Sequence, residues 1–150
     1  MLRSVKVRDY MTTKLIAFKP HTDLFEAIDV LIRNNISGAP VIDGEGMLIG
    51  LLSELDCLKG ILSNSYYDYE ALGGSVSEYM TTVVDVVSVD DDILTVSSRF
   101  INDRRRRFPV LDNGRLVGQI SRRDVLRAVK DFSSAEQLQK LKGHQPRLKS

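Results

Sequence analysis

The sequence predicts an α/β (α+β) fold made of two β-α-β-β-α halves packed with pseudo-two-fold symmetry. A duplication is the first observation behind this. Val7-Arg8-Asp9-Tyr10-Met11-Thr12-Thr13 returns as Val76-Ser77-Glu78-Tyr79-Met80-Thr81-Thr82, and Ala39-Pro40-Val41-Ile42-Asp43 returns as Phe108-Pro109-Val110-Leu111-Asp112. Gly50-Leu51-Leu52-Ser53-Glu54-Leu55-Asp56 returns as Gly118-Gln119-Ile120-Ser121-Arg122-Arg123-Asp124, so the offsets are 69, 69 and 68 residues. That period is longer than any solenoid repeat, so each copy is half of a domain. The second observation is that apolar spacing alternates between short runs and the i, i+3, i+4 pattern of a helix within each copy. The third is a hairpin turn signal at the same place in both.

In chain order, each copy opens with a short apolar strand, 15–18 or 83–89. An acidic cap follows, Asp23 before Leu24, Ala27, Ile28, Leu31 and Ile32, and Asp92 before Ile93, Val96, Phe100 and Ile101. These caps start amphipathic helices. A proline then opens a buried strand, Val41-Ile42 or Val110-Leu111. Asp43-Gly44-Glu45-Gly46 and Asp112-Asn113-Gly114 are hairpin turns. The second strands run 48–52 and 116–120. Ser53 and Ser121 cap closing helices that reach about Leu62 and about Phe132. The expected organisation is repeat 1 over 7–62, a linker over 63–75, repeat 2 over 76–132, and a C-terminal helix and tail over 133–150. Within the linker a helical turn is expected from Tyr66 to Leu72. Ser133 and Glu136 resemble a capping box, for a helix to about Leu141, with disorder from Gly143.

Composition narrows the function classes. The chain of 150 residues is 43% hydrophobic and 27% charged, with a net charge of +1, which argues against a globally cationic nucleic-acid binder. The charge is uneven: between Arg99 and Arg127 there are nine arginines against three aspartates, a local excess of six. The single cysteine excludes an internal disulfide and suits a reducing compartment. Met1 to Arg8 lacks an apolar signal region, and no window approaches about eighteen apolar residues. A soluble, cytoplasmic protein without a membrane partner is expected.

The segment Gly-x-x-Ser-x-x-Asp carries the strongest chemistry. Gly50 and Gly118 allow close backbone approach. Ser53 and Ser121 sit at helix N-termini, where free N–H groups and the positive dipole end favour phosphate. One turn on, Asp56 and Asp124 could accept two hydrogen bonds from a vicinal diol such as ribose. The plainer alternative is that each serine is only an N-cap and each aspartate only a favourable first-turn charge.

With Tyr-Met-Thr-Thr, with Ile36-Ser37-Gly38-Ala39-Pro40-Val41 and with Arg106-Arg107-Phe108-Pro109-Val110, these segments make the chain resemble a tandem pair of CBS domains, a Bateman module. The resemblance spans roughly Val7 to Ala128. It implies a disk-like module, often a homodimer, whose inter-repeat clefts bind adenosyl ligands such as AMP, ADP, ATP or S-adenosylmethionine. No cofactor is required on this reading; the adenine nucleotide is a ligand, and an effector protein, unidentified, receives the signal.

The resemblance also implies unequal clefts. In the stronger one, Ser121, Arg106 and Arg107 would meet phosphate and Asp124 ribose, with Thr12, Ile16, Ile36 and Ser37 at base and phosphate. The second, weaker site has Ser53, Asp56 and Thr81. There the pre-proline position is Gly38, so a cation must come from the other repeat, such as Arg105 or Arg106.

The run Arg104 to Arg107 admits three readings: a solvated face, phosphate contact by at least Arg107, or RNA or DNA binding. Phe100 and Phe108 fall on core spacing, which weakens a base-stacking platform. Catalysis finds little support. Cys57 has no histidine near it in sequence, His21 and His144 lie in a turn and in the tail, and no phosphate-binding glycine loop or metal-ligand cluster occurs. The acids Asp90-Asp91-Asp92 fit a helix N-terminus. The expectation is a non-catalytic regulatory nucleotide sensor. Its alternatives are a nucleic-acid-binding protein or a ligand-independent dimerisation scaffold.

Overall fold

The computed structural model describes residues 5–65 and 74–132. The helical turn expected at Tyr66 to Leu72, the helix expected from Ser133 and the disorder expected from Gly143 lie outside the described residues.

The first half runs α1 (Val7–Tyr10), α2 (Leu24–Arg33), β1 (Gly38–Ile42), β2 (Leu48–Ser53) and α3 (Glu54–Ser65). The second repeats it as α4 (Val76–Tyr79), β3 (Val87–Ser88), α5 (Ile93–Asp103), β4 (Arg107–Asp112), β5 (Arg115–Ser121) and α6 (Arg122–Phe132). The acidic caps work as the sequence predicts. The Asp23 carboxylate accepts the N–H groups of Phe25 and Glu26 at 3.1 and 3.2 Å. Asp92 accepts the Thr95 N–H at 2.8 Å and its hydroxyl at 2.9 Å. Each satisfies donors that a helix start leaves open. Helix α2 buries Leu24, Ala27 and Leu31; α5 buries Ile93, Val96 and Phe100.

Both hairpins form where expected. Asp43 Oδ1 accepts from the Glu45 and Met47 amides at 2.8 and 3.0 Å and draws the first turn tight. In the second, Asn113 and Gly114 have φ of 51° and 82°, the left-handed pair a two-residue hairpin loop needs.

The expected first strands are much shorter than their apolar runs. In 15–18 only Phe18 pairs, with Val41, and in 83–89 only Val87 and Ser88 pair, with Val110 and Leu111. The prolines explain this. Phe18 donates to the Pro40 carbonyl at 2.9 Å and accepts from Ile42 at 2.9 Å. The next bond upstream would require an N–H from Pro40, or from Pro109 in the second half, and proline has none.

The short helices α1 and α4, absent from the sequence reading, are exchanged between halves. Val7 packs in the core with Phe108, Val110 and Ile120, whereas Val76 packs with Leu24, Val41 and Leu52. The chain after each helix pairs with the opposite hairpin. Thr12 and Gln119 exchange backbone bonds of 2.8 and 2.9 Å, and Leu51 and Thr81 exchange two of 2.9 Å. The pseudo-axis passes between Met47 and Arg115, equivalent residues that pair with each other across the two hairpin turns. The folding unit is therefore not the sequence repeat, since each half completes the other's core.

Gly50 and Gly118 serve this exchange. A Cβ at Gly118 would lie 2.9 Å from Thr12 O, and one at Gly50 would lie 3.0 Å from Thr81 O. Their close approach is to the exchanged segment, whose Met80 and Met11 sulfurs would lie nearer still, at 2.6 and 2.8 Å. Gly118→Ala and Gly50→Ala are each expected to destabilise by about 1–3 kcal/mol through overpacking; urea denaturation measures it. Loss of the Asp92 cap in Asp92→Ala is expected to cost about 1 kcal/mol. The Thr95 amide and hydroxyl hold the Asp92 carboxyl below the usual aspartate range. With its folded pKa depressed, its contribution is present at neutral pH and is lost as pH falls from about 4 through the folded value. Denaturation midpoints of wild type and Asp92→Ala should converge there.

Candidate functional site: the cleft between the halves

Strand β2 delivers Ser53 to the start of α3, and β5 delivers Ser121 to the start of α6. Each Ser-x-x-Asp closes on itself as a capping box. Ser53 Oγ accepts the Asp56 N–H at 3.1 Å, and Asp56 Oδ2 accepts the Ser53 N–H at 2.9 Å. The Ser53 hydroxyl also donates to Asp56 Oδ2 at 2.9 Å. In the second copy the same two capping bonds measure 3.2 and 2.8 Å. The plainer reading of these segments is thus correct for one carboxylate oxygen in each. The other oxygen differs between halves. Asp56 Oδ1 receives the Thr81 hydroxyl at 3.1 Å, whereas Asp124 Oδ1 receives the Arg127 guanidinium at 2.7 Å.

A cavity of about 390 Å³ opens beside Asp56, between the halves. The residues expected for the second site, Ser53, Asp56, Thr81 and Arg105, all line it. So do Ser37 and Arg107, which the sequence assigns to the Asp124 cleft, and Arg106, which it offers to either cleft. The remaining members of that set lie elsewhere. Thr12, the counterpart of Thr81, exchanges backbone bonds with Gln119 and does not line this cavity. Ile16 and Ile36 pack against the first-half core, and Ser121 and Asp124, joined in their capping box, do not line this cavity. Arg107 stands opposite Ser121 in the β4–β5 register, so it sits where the two clefts adjoin. Its counterpart Gly38 has no room for a side chain, since a Cβ would lie 2.9 Å from Leu52 O.

Charge in the cavity is lopsided. Lys59 and Arg105 to Arg107 face only Asp56 and Asp85. Asp85 is spent on Arg105, which it meets at 3.0 Å. Lys59, Arg106 and Arg107 have no side-chain partner among the described residues. Apolar wall comes from Leu51, Pro40, Pro109 and Val83, the last 86% exposed at the rim. Lys59 and Asp85 escaped the sequence reading. Lys59 lies one helical turn beyond Asp56, a spacing that places it on the same face; Asp85 gave no signal, because its role depends on where the loop before β3 folds.

The Cys57 thiol is buried, and burial pushes its pKa up, the opposite of an activated nucleophile. Among the described residues no group of three His, Cys, Asp or Glu side chains is placed to hold a metal ion. No described helix is long and apolar enough to cross a membrane.

Comparison with known proteins agrees with this architecture. The family model for the CBS domain matches residues 7–63 and 76–131. An uncharacterised 17.7 kDa protein of Acidianus ambivalens is 31% identical over 134 residues, covering 89% of this chain and 78% of that protein. Protein MJ1225 of Methanocaldococcus jannaschii is 31% identical over 121 residues; these cover 81% of this chain but only 41% of MJ1225. The chloroplastic CBSX1 of Arabidopsis thaliana is 32% identical, over 81% of this chain and 63% of its own length. Among solved structures, CBSX2 in complex with AMP superposes with a TM-score of 0.74 at 28% identity, covering 87% of this chain and 99% of that one. The CBS domain pair of protein MJ0100, in complex with 5'-methylthioadenosine and S-adenosyl-L-methionine, has a TM-score of 0.66 at 25% identity, covering 83% and 99%. With the duplicated β-α-β-β-α halves, their exchanged helices and the paired Ser-x-x-Asp caps, the match over both repeats places this chain in the CBS domain family, as a tandem CBS pair.

Proposed function

We propose that this chain is a non-catalytic regulatory module that binds a phosphorylated adenosine ligand in the Asp56 cleft. One observation carries the reading: a carboxylate at a helix N-terminus shares a cavity with three cations that have no side-chain partner among the described residues. Asp56 Oδ1 is held only by a neutral hydroxyl, which can turn aside for a ribose diol. Lys59, Arg106 and Arg107 then meet phosphate, where arginine offers a fork matched to its oxygens. The apolar wall by Val83 takes the base. The solved relatives bind AMP in one case and S-adenosylmethionine with methylthioadenosine in another. The cation excess favours the phosphate-bearing ligand, since a sulfonium adds positive charge to a positive cavity. This order reverses the one expected from sequence, which placed the stronger site at Asp124.

Because Asp56 belongs to the first half and Arg106 to the second, an occupied cleft ties the halves together. A ligand biases the module only by its differential affinity for two arrangements, and that bias is what an effector reads. Apolar residues left open on the helices, among them Ile32 and Ile101 at 72% and 77% exposure, support pairing of two such modules into a homodimer.

A second reading rests on the arginines. Arg104, Arg106, Arg107 and Arg123 are exposed and lack an acidic partner among the described residues, a surface that fits a polyanion such as RNA. Filter binding at two salt concentrations separates it, because phosphate-backbone affinity falls steeply with salt.

Saturation with AMP at a hundredfold over its dissociation constant should stabilise the fold by about 2.7 kcal/mol. Identical melting temperatures with and without AMP, ADP, ATP and S-adenosylmethionine would sink the ligand reading. A charge-assisted hydrogen bond is worth about 1.5–3 kcal/mol, so Arg106→Ala or Arg107→Ala should weaken AMP roughly ten- to a hundredfold in calorimetry and leave adenosine nearly unchanged. Asp56→Ala should weaken both ligands. Equilibrium sedimentation at tens of micromolar should show a dimer; a strict monomer with and without nucleotide would remove the assembly half of the proposal.

A further inference from the structure

The two Ser-x-x-Asp clefts are equivalent in sequence, and the pseudo-axis makes each element of one testable against the other. Asp56 corresponds to Asp124, Thr81 to Thr12 and Lys59 to Arg127. The threonines differ in that Thr81 donates its hydroxyl to Asp56, and the last pair differs most in what it does. Lys59 lines the cavity with no partner among the described residues. Arg127, at the same helical position, turns back onto its own aspartate and binds Oδ1 at 2.7 Å. The same guanidinium nitrogen donates to the Tyr10 carbonyl at 3.3 Å, and the group lies 5.8 Å from the centroid of the Tyr10 ring. The Tyr10 hydroxyl is fixed in turn by Asp131 at 3.0 Å. A carboxylate, a carbonyl and an aromatic face therefore hold the guanidinium in one place.

From this difference we infer that the clefts are not two copies of one site: the chain takes one ligand, at Asp56, and Arg127 is the residue that closes the cleft at Asp124. The inference rests on the adenosine-ligand reading above. Its physical ground is the cost of displacement. At Asp56 a ribose hydroxyl replaces another hydroxyl on a half-buried carboxylate. At Asp124 it must dislodge a charge-assisted bond, roughly twice as strong as a neutral one, from a carboxylate that is 7% exposed. Stripping the cation from a buried carboxylate also leaves that charge uncompensated, which is costly in itself. Arg127 thus acts as an internal occupant, supplying to Asp124 the donor that a ligand would otherwise bring.

The inference also says what opens the second cleft. Removing the guanidinium while keeping its aliphatic stem frees Asp124 Oδ1 and leaves the Ser121 capping box intact. Replacing it by lysine installs the residue the first half uses at this position.

Calorimetry and native mass spectrometry with AMP, on wild type, Arg127→Met and Arg127→Lys, test it. One equivalent per chain is expected for wild type and two for the variants. The double change Asp56→Asn with Arg127→Met is expected to retain one. Two equivalents in wild type, or one in both Arg127 variants, overturns the closure while the ligand reading stands. If Arg127→Met fails to fold, the lysine variant and the wild-type stoichiometry decide it. No AMP bound by wild type or by either variant overturns the ligand reading, and the closure with it.

Discussion

Everything in this molecule depends on two antiparallel backbone pairs, Thr12 with Gln119 and Leu51 with Thr81. Through them each half gives its leading helix to the other's core and receives the other's in return. Val7 and Val76 are both fully buried, each in the core of the opposite half. Neither half can therefore bury its apolar surface alone, and separating them would expose a hole where a helix had been. The cleft between halves follows from the same pairing. Thr81 is brought to Asp56 because its backbone is bonded to Leu51, two residues before the Ser53 cap. The wall that carries Arg105 to Arg107 arrives with the second half as a unit.

What was legible in the sequence was local. Asp23 and Asp92 read as caps because a cap needs only its own first turn. The hairpin turns read correctly because Asn113-Gly114 states its left-handed backbone in two residues. The first strands were overstated because apolar content was counted and the missing N–H of Pro40 and Pro109 was not. The exchange itself was hidden. Thr12 and Gln119 lie far apart in the chain, and a four-residue helix such as Val7–Tyr10 has too few positions to display a period. The sequence names seven of the residues that line the cavity, Ser37, Ser53, Asp56, Thr81 and Arg105 to Arg107, but divides them between two clefts. Arg107 and Ser37 are read with Asp124, and Arg106 with either cleft, whereas the cavity gathers all three beside Asp56.

The capping boxes make the site part of the fold. In both copies one oxygen of the aspartate is spent on the serine amide that starts the helix, and only the second is open to anything else. The aspartate thereby gains a fixed orientation without losing its capacity to bind. A carboxylate held by one backbone donor and aimed by it needs little reorganisation to accept another. It also means that changing Asp56 disturbs a helix start as well as a ligand contact. An effect shared by adenosine and AMP at Asp56 accordingly carries less information than a phosphate-specific one at Arg106 or Arg107.

Duplication produced two clefts with the same frame, and the side chains then diverged. In the first half the pre-proline position is Gly38, pressed against the Leu52 carbonyl and unable to carry a cation; the charge is supplied across the cleft by the second half. In the second half the cation is plentiful, yet Arg127 turns inward and neutralises the aspartate. Among the described residues, unpaired arginines of the second half thus meet an open carboxylate of the first in the Asp56 cleft. On the proposed reading a ligand there would span both halves, its ribose meeting Asp56 of the first and its phosphate Arg106 and Arg107 of the second. A site built in this way would be sensitive to how the halves are placed, which is the sensitivity the proposed regulatory role calls for.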